Sequence, residues 1–551
     1  MIVEREGYRL ELAADGRRAV LTRPDGEHWL TLSLLASFDR TDARDESVSW
    51  QATADDATIT IERRSTAWDR AGVTLTCGER SLELRAWVEG SGRLADVHLL
   101  GGRSLHGPKT GLFRTGTSCT TLFSAGADEP AKLLRGADEE VVLGVSGDGE
   151  LGRGHWFLTP PPLFLAFRRD DEERWLGLGL EAPVERLRFV QAVHRPGDRA
   201  FHLVLEHEGH TAVDGRFEAP AVVLTPGLAS PYDGVRAQAE PREPREQPAW
   251  WRGAIFCGWG AQCQLASTGL GRAPDLSTRA NYDTFLAALG EHGVLPPTIV
   301  IDDKWQRTYG RNEPDEDKWP DLRGWIAARH DEGRRVLLWW KAWDPEGLPD
   351  ELCVRRPDGA PVAVDPTAPG TAALMREVMH ELLAPGGLDA DGLKVDFTAQ
   401  TPSGESLAVH GRAWGISLLH ELLRLVYDGA KEAKPDALVI THTPHPAFAD
   451  VTDMVRLNDM LRLDDPGPLR PGTVVPQMRH RAAVAAAAIP GVLVDTDDWT
   501  IPDLATWRDY LHAKLELGVP SLYYATRLDL TGEQLEEQDY AALRRVFGGV
   551  G

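Results

Sequence analysis

Two patterns of apolar residues divide the chain. From the N-terminus to about residue 235 they alternate with polar ones, as in Leu82, Leu84, Ala86 and Val88 and again in Phe201, Leu203 and Leu205. A period of two puts such residues on one face of a strand. Turn signals such as Pro24-Asp25-Gly26 and Gly147-Asp148-Gly149 separate the runs, and no convincing helical stretch interrupts them. The pattern predicts an antiparallel β-sandwich of roughly 230 residues.

The segment 236–250, RAQAEPREPREQPAW, is dense in proline and charge and has no period, which marks a linker. The expected organisation is a domain at 1–235, a linker at 236–250 and a second domain at 251–551. In the second domain short apolar runs alternate with amphipathic stretches. Eight candidate strands follow one another: AIFCGW (254–259), PTIVID (297–302), RVLLWW (335–340), DGLKVD (391–396), ALVIT (437–441), TDMVRL (452–457), GVLVD (491–495) and PSLYY (520–524). Helical patterns at 282–292, 372–383 and 504–517 lie between strands. This alternation predicts a (β/α)8 TIM barrel, and the chain as a whole is expected to be multidomain, β followed by α/β.

At 551 residues the chain is too long for one ordinary core, which agrees with two domains. Its 60 Lys and Arg are outnumbered by 84 Asp and Glu, and the resulting formal charge of -24 repels a phosphate backbone. No nucleic-acid partner is expected, and the substrate should be neutral or cationic. No apolar run is long enough for a bilayer, so no membrane partner is expected either. The first residues, MIVEREGYRLELAADG, are acidic where a signal peptide needs a basic region and then an apolar one. Cys77, Cys119, Cys257, Cys263 and Cys353 are odd in number and lack metal spacing, which fits a reducing cytoplasm. Nothing in the sequence signals the oligomeric state.

In such barrels the active site gathers at the C-terminal ends of the strands. Here Asp302 and Asp303 end the second strand, Asp396 ends the fourth, Asp459 follows the sixth, and Asp495 ends the seventh with Asp497 and Asp498 behind it. A lone aspartate at a strand end is as readily a helix cap. Four strand ends together form a ring of carboxylates. Such a ring serves either a divalent metal or a carboxylate pair that cleaves a glycosidic bond. Histidines would mark the metal site, and only the fifth strand offers them, in His442 and His445. Trp259, Trp305, Trp339, Trp340 and Trp343 favour a sugar, whose apolar faces stack on aromatic rings. One of Trp339 and Trp340 must nevertheless face the core, because side chains alternate along a strand. Lys394 and Asp396 are two apart and so share a side, where an ammonium would favour the ionised carboxylate that a nucleophile requires.

IDDKWQ (301–306) is similar to an IDDGWQ motif, LKVDF (393–397) to a K-x-D nucleophile motif on strand four, and DMVRLND (453–459) to an acid/base segment of the type D-x-x-R-x-x-x-D, one position shorter. Together and in this order they resemble the α-galactosidase and raffinose-synthase group, glycoside hydrolase family thirty-six of clan D. The resemblance covers about residues 250 to 545 and, more loosely, the sandwich before them.

This resemblance implies a retaining α-glycosidase that removes a terminal, galactose-like sugar from a small-molecule or oligosaccharide α-glycoside by double displacement, without a cofactor or metal. Asp396 would be the nucleophile and Asp459 the general acid/base, with Asp459 titrating higher than Asp396. Asp302 and Asp303 would accept hydrogen bonds from sugar hydroxyls and Lys394 would donate to others. Arg456 would touch the ligand or orient a catalytic group. Trp259 and Trp340 are the candidate stacking faces, and Asp495 and Asp498 candidate supports. The chain departs from the family where Thr441 to Pro446 replaces a Cys-containing, Gly-rich segment, where Lys304 replaces the glycine of IDDGWQ, and at Leu338-Trp339-Trp340-Lys341, which points to an altered glycone or aglycone. Three other readings stay open: a raffinose-synthase-like galactosyltransferase, a metal-dependent barrel hydrolase or lyase using His442, and a carbohydrate-binding protein without turnover.

Overall fold

The alternating pattern of the first domain folds as antiparallel sheet. Thr58–Arg63 buries every second side chain, and among the described residues 18 strands form one continuous hydrogen-bonded set. The computed structural model describes residues 1–39, 48–53, 57–100, 113–114, 119–126, 132–133, 141–146, 160–169, 173–195, 200–241, 245–461 and 468–548; the expected turn at Gly147-Asp148-Gly149 lies outside them. Two long strands, Leu82–Leu99 and Ala200–Glu218, run antiparallel through the sheet. Glu206 pairs with Asp96 and Thr211 with Leu94, so residues 207–210 bulge out of the ladder.

A helix, Pro231–Ala237, crosses the boundary expected at residue 235. Ser230 caps it by accepting from the Tyr232 amide, and Asp233 reaches back to the Ser230 amide, with Pro231 in the first turn. Val235 packs with Phe123, Phe164 and Trp175 of the sheet and with Val484, Ala487 and Ala488 of a barrel helix, Val474–Ala488. The Tyr232 hydroxyl meets Nδ1 of His480 on that helix at 2.8 Å. The main apolar cluster likewise runs through both domains, so the barrel is docked on the sheet rather than tethered to it.

The second domain contains eight parallel strands: β1 Ile255–Cys257, β2 Thr298–Ile301, β3 Arg335–Lys341, β4 Gly392–Asp396, β5 Leu438–Thr441, β6 Met454–Arg456, β7 Leu493–Asp495 and β8 Ser521–Leu522. They are hydrogen-bonded in sequence order, with β8 beside β1. A parallel bridge from Asp495 to Val519 closes the ring. All four residues of β2 are buried, because helices cover one side and the lumen the other, and the alternation of the first domain is therefore lost. Helices Arg279–Glu291, Thr371–Leu383 and Leu504–Leu517 stand where the sequence pattern placed them. Among the described residues no helix is long and apolar enough to cross a membrane.

Five non-glycine residues with left-handed backbone stand just past strand ends: Lys304 after β2 (φ 69°), Trp343 after β3 (φ 72°), Phe397 after β4 (φ 61°), Asn458 after β6 (φ 67°) and Asp497 after β7 (φ 53°). Each such conformation costs on the order of 1 kcal/mol or more and persists only where the surroundings hold it. Their gathering at one mouth locates the region where the fold holds strained backbone in place.

Candidate active site

Residues paired across parallel strands point the same way. Trp339 pairs with Lys394 and Lys341 with Asp396, whereas Trp340 pairs with Val395. Lys394 and Asp396 therefore face the lumen together with Trp339, and Trp340 is turned to the helical layer. This corrects the expectation for Trp340. Trp339 is the ring at the site, and its Nε1 donates to Oδ2 of Asp396 at 3.1 Å.

Asp396 accepts two further hydrogen bonds on Oδ1, from the Phe397 amide at 2.9 Å and from Nη2 of Arg456 at 3.1 Å. The left-handed turn at Phe397 folds its amide back onto the preceding side chain. Arg456 ends β6 and is fully enclosed. Its Nη1 donates to Asp459 at 2.9 Å and to Asp497 at 2.7 Å, and its Nη2 also donates to Oδ1 of Asn458 at 2.8 Å. One guanidinium thus holds three carboxylates.

With three acids on one cation, a proton is most stable on the acid with the fewest other donors. Asp396 has the Phe397 amide and Trp339. Asp497 has the Asp498 and Trp499 amides at 2.6 and 3.0 Å. Among the described residues Asp459 has Arg456 alone. Burial works to raise the Asp396 pKa but is outweighed by Arg456, His442, Lys394 and the Phe397 amide, so it lies well below the usual carboxylate range. Asp459 is pushed up to about 7, by burial first and then by Asp497 and Asp396 against the pull of Arg456. Both carboxylates remain open to the mouth, at 21% and 23% exposure.

Lys394 serves a different carboxylate from the one expected. Its Nζ lies 2.6 Å from Oδ2 of Asp302, with both side chains buried, and acts on Asp396 only through space. Cys257 adds a thiol donor to the same oxygen at 3.0 Å, and the Asp303 amide donates to Oδ1 at 2.8 Å. The Asp302 amide donates to the Tyr282 hydroxyl at 2.7 Å, and that hydroxyl occupies the space beside Gly258, where a Cβ would come within 2.1 Å of it. Asp303 is more open. It accepts from the Tyr309 hydroxyl at 2.8 Å and is raised to about 6, mainly by burial. Lys304 and Lys341 lie 3.8 and 4.3 Å from the Tyr309 ring centre, each paired with an acid, Glu346 and Asp344.

Trp259 opens the helix Trp259–Ser267 and is half-buried at the rim, edge-on to Trp499 with centroids 5.8 Å apart. Trp305 and Trp343 are buried and donate to the carbonyls of Trp339 and Thr398. Neither Asp495 nor Asp498 is among the ion-pair partners of Arg456, which are Asp396, Asp459 and Asp497. Asp495 accepts from the Asp497 amide and the Ser521 hydroxyl, and Asp498 is paired with buried Lys514 at 2.7 Å. Asp497 is the carboxylate that supports Arg456. Asp453, the first aspartate of the acid/base segment, lies at the opposite end of β6, where it binds Lys431, the Tyr427 hydroxyl and the Val439 amide.

His442 follows β5, is buried, and is held down to about 4 by burial and then by Arg456, so its imidazole is neutral at neutral pH. The Thr398 amide lies 3.3 Å from its Nε2. Among the described residues no group of three or more His, Cys, Asp and Glu side chains is arranged to hold a metal ion. Sequence reasoning missed Arg481 on the helix Val474–Ala488. Its Nη1 donates to the carbonyls of Leu457, Asn458 and Asp459 at 3.0, 3.1 and 2.8 Å and so fixes the turn that carries Asp459. No signal in the sequence marks it, because the carbonyls it binds are carried by another segment.

No family model matches the chain, and no curated protein matches it. Solved structures share its fold. An α-galactosidase from Thermus thermophilus in complex with stachyose is 16% identical, with a TM-score of 0.54 over 90% of this chain and 99% of that one. A sulfoquinovosidase of family GH31 from E. rectale, bound to an aza-sugar inhibitor, is 12% identical, with a TM-score of 0.56 over 100% and 82%. A cycloalternan-degrading enzyme from Trueperella pyogenes, in complex with a covalent intermediate, is 14% identical, with a TM-score of 0.53 over 97% and 71%. The fold, a β domain followed by a (β/α)8 barrel, is therefore one that glycoside hydrolases use.

Proposed function

We propose that this protein is a retaining α-glycosidase, a divergent relative of glycoside hydrolase family thirty-six, that releases a terminal galactose-like sugar from a neutral α-glycoside. The observation that carries the reading is a pair of open carboxylates on Arg456 with unequal support: Asp396 also accepts from Trp339 and the Phe397 amide, whereas Asp459 has no second donor among the described residues, which favours charge on the first and a proton on the second. A double displacement needs those two states at once. Asp396 attacks the anomeric carbon and the glycosidic bond breaks, while Asp459 gives its proton to the departing oxygen. In the second half Asp459 takes a proton from water, the water oxygen bonds to the anomeric carbon, and Asp396 leaves as carboxylate. Asp303 and, behind it, the Asp302–Lys394 pair face the glycone hydroxyls. Trp339 orients the nucleophile and Trp259 offers a ring at the rim. The α-galactosidase among the structural neighbours supports the choice of glycone.

The test is a panel of aryl α- and β-glycosides, including galactoside, glucoside, N-acetylgalactosaminide and arabinopyranoside, assayed with wild type, Asp396→Ala and Asp459→Ala. Turnover of an α-glycoside that the Asp396 substitution abolishes is the expected result. Unchanged turnover in Asp396→Ala, or turnover of β-glycosides only, would overturn the proposal.

A further inference from the structure

The loop that follows the nucleophile, residues 397–415, is held at both ends. At the barrel end the Phe397 amide binds Asp396, the Thr398 amide binds His442, and the Thr398 carbonyl accepts from Trp343 and Thr401. At the far end the loop meets the β domain. Glu208 stands on the bulge between Glu206 and Thr211, with a left-handed backbone (φ 49°) that turns its carboxylate out of the sheet. That carboxylate accepts from the Ser403 hydroxyl at 2.7 Å, the Gly404 amide at 2.9 Å and the Trp414 indole at 2.9 Å. On the same bulge His210 stacks on the Trp414 ring with centroids 3.6 Å apart, and its Nε2 lies 3.1 Å from the Gly404 carbonyl. Arg188, also from the β domain, donates to the Ser417 hydroxyl just beyond the loop.

We infer that Glu208 is a positioning residue for the nucleophile: by gathering Ser403, Gly404 and Trp414 onto one carboxylate, the β domain sets the path of the loop 397–415 and thereby the placement of the Phe397 amide on Asp396. Three donors on one carboxylate make a charge-assisted anchor, stronger than three separate neutral bonds. Trp414 shows why the anchor is specific. Its indole N–H is bound by Glu208 while its face is covered by His210, so ring position is set in two directions by one bulge. A bulge that re-aims a side chain is a built feature of a strand, and this one has no other partner for its carboxylate among the bonds described. The inference rests on the proposed glycosidase reading, because it assigns a catalytic consequence to the clamp.

The experiment compares wild type, Glu208→Ala, Glu208→Gln and a control, Arg245→Ala. Arg245 also joins the chain's first part to the barrel, through the Tyr427 hydroxyl and the Thr452 and Asp450 carbonyls, but away from this loop. In Glu208→Ala kcat on the best aryl α-glycoside should fall about tenfold or more, with KM moving less, as expected when a reacting group is misplaced and substrate contacts remain. Glu208→Gln, which keeps one acceptor oxygen, should fall between. Amides 398–415 should exchange with deuterium faster in Glu208→Ala than in wild type, and Arg245→Ala should change neither reading. Kinetics like wild type in folded Glu208→Ala would overturn the inference, even with a lowered melting temperature. If Glu208→Ala does not fold, Glu208→Gln and Ser403→Ala take its place, with unchanged exchange and kcat in both as the overturning result. If wild type turns over no α-glycoside, the glycosidase reading fails by itself, and the exchange comparison decides the clamp alone.

Discussion

Replacing Asp497 by Asn tests the electrostatic argument at its centre. Asp497 and Asp459 both accept from Nη1 of Arg456, at 2.7 and 2.9 Å, so their nearest oxygens are within about 5 Å, where two unit charges repel by about 3 kcal/mol at an effective dielectric of ~20. That is a shift of about two pKa units in the fully enclosed case. With the Asp459 side chain 23% exposed, about one unit is the expected survivor of solvent screening. Removing the Asp497 charge also leaves Arg456 more fully to Asp459, and both effects lower the Asp459 pKa. The acid must be protonated to act, so a lower pKa means that activity is lost at lower pH. On the proposed mechanism the alkaline limb of kcat/KM follows Asp459, whose pKa burial and its acidic neighbours raise to about 7, and in Asp497→Asn that limb should move down to about 6. The acid limb, set by Asp396, should stay below the usual carboxylate range. Asn retains Oδ1 for the Asp498 and Trp499 amides, so the turn is kept. The assay is kcat/KM from pH 4 to 9 on one aryl glycoside. An alkaline limb that stays in place or rises would refute the assignment of Asp459 as the titrating acid.

Trp339→Phe removes the indole donor to Asp396, a hydrogen bond to charge worth about 1.5–3 kcal/mol, and should lower kcat/KM by roughly ten- to a hundredfold. Trp340→Phe, which alters a ring on the opposite face, should leave kcat/KM within about threefold of wild type, so the pair of variants separates lumen from layer. Lys394→Met leaves the Asp302 carboxylate buried without its cation and should cost about 3–5 kcal/mol in urea denaturation. The double variant Lys394→Met with Asp302→Asn should recover part of that loss, because the unpaired charge is gone.

The parts of the fold written in local periodicity were legible. The eight barrel strands are each a short apolar run, and a run buried on both faces reads the same from sequence as in the structure, as β2 shows. The Ser230-Pro231-x-Asp233 cap is equally local, a short signal set beside strands whose alternation dominates the pattern. The choice between Trp339 and Trp340 was not local. It needed the register of β3 against β4, which follows from where neighbouring strands start. Lys394 and Asp396 do share a side, but which carboxylate the ammonium binds depends on how far Asp302 projects from β2, and no spacing within β4 contains that. Arg481 and Glu208 were out of reach for the same reason: each acts on backbone carried by another element.

Arg456 also shows why one cation can serve both halves of the proposed cycle. Before glycosyl transfer the charged carboxylates on it are Asp396 and Asp497, while Asp459 holds the proton. Afterwards Asp396 is a neutral ester, Asp459 has given up its proton, and the charged pair is Asp459 and Asp497. The carboxylate charge facing the guanidinium is the same in both states and only its position changes, by the width of one planar fork. A buried site pays heavily for net charge that solvent cannot screen, and a neutral substrate leaving as neutral products keeps the balance throughout. A guanidinium suits this task because its two nitrogens address two acids at once in fixed geometry. Asp497, held by two amides and unable to reach the mouth at 0% exposure, keeps the count at two without joining the chemistry.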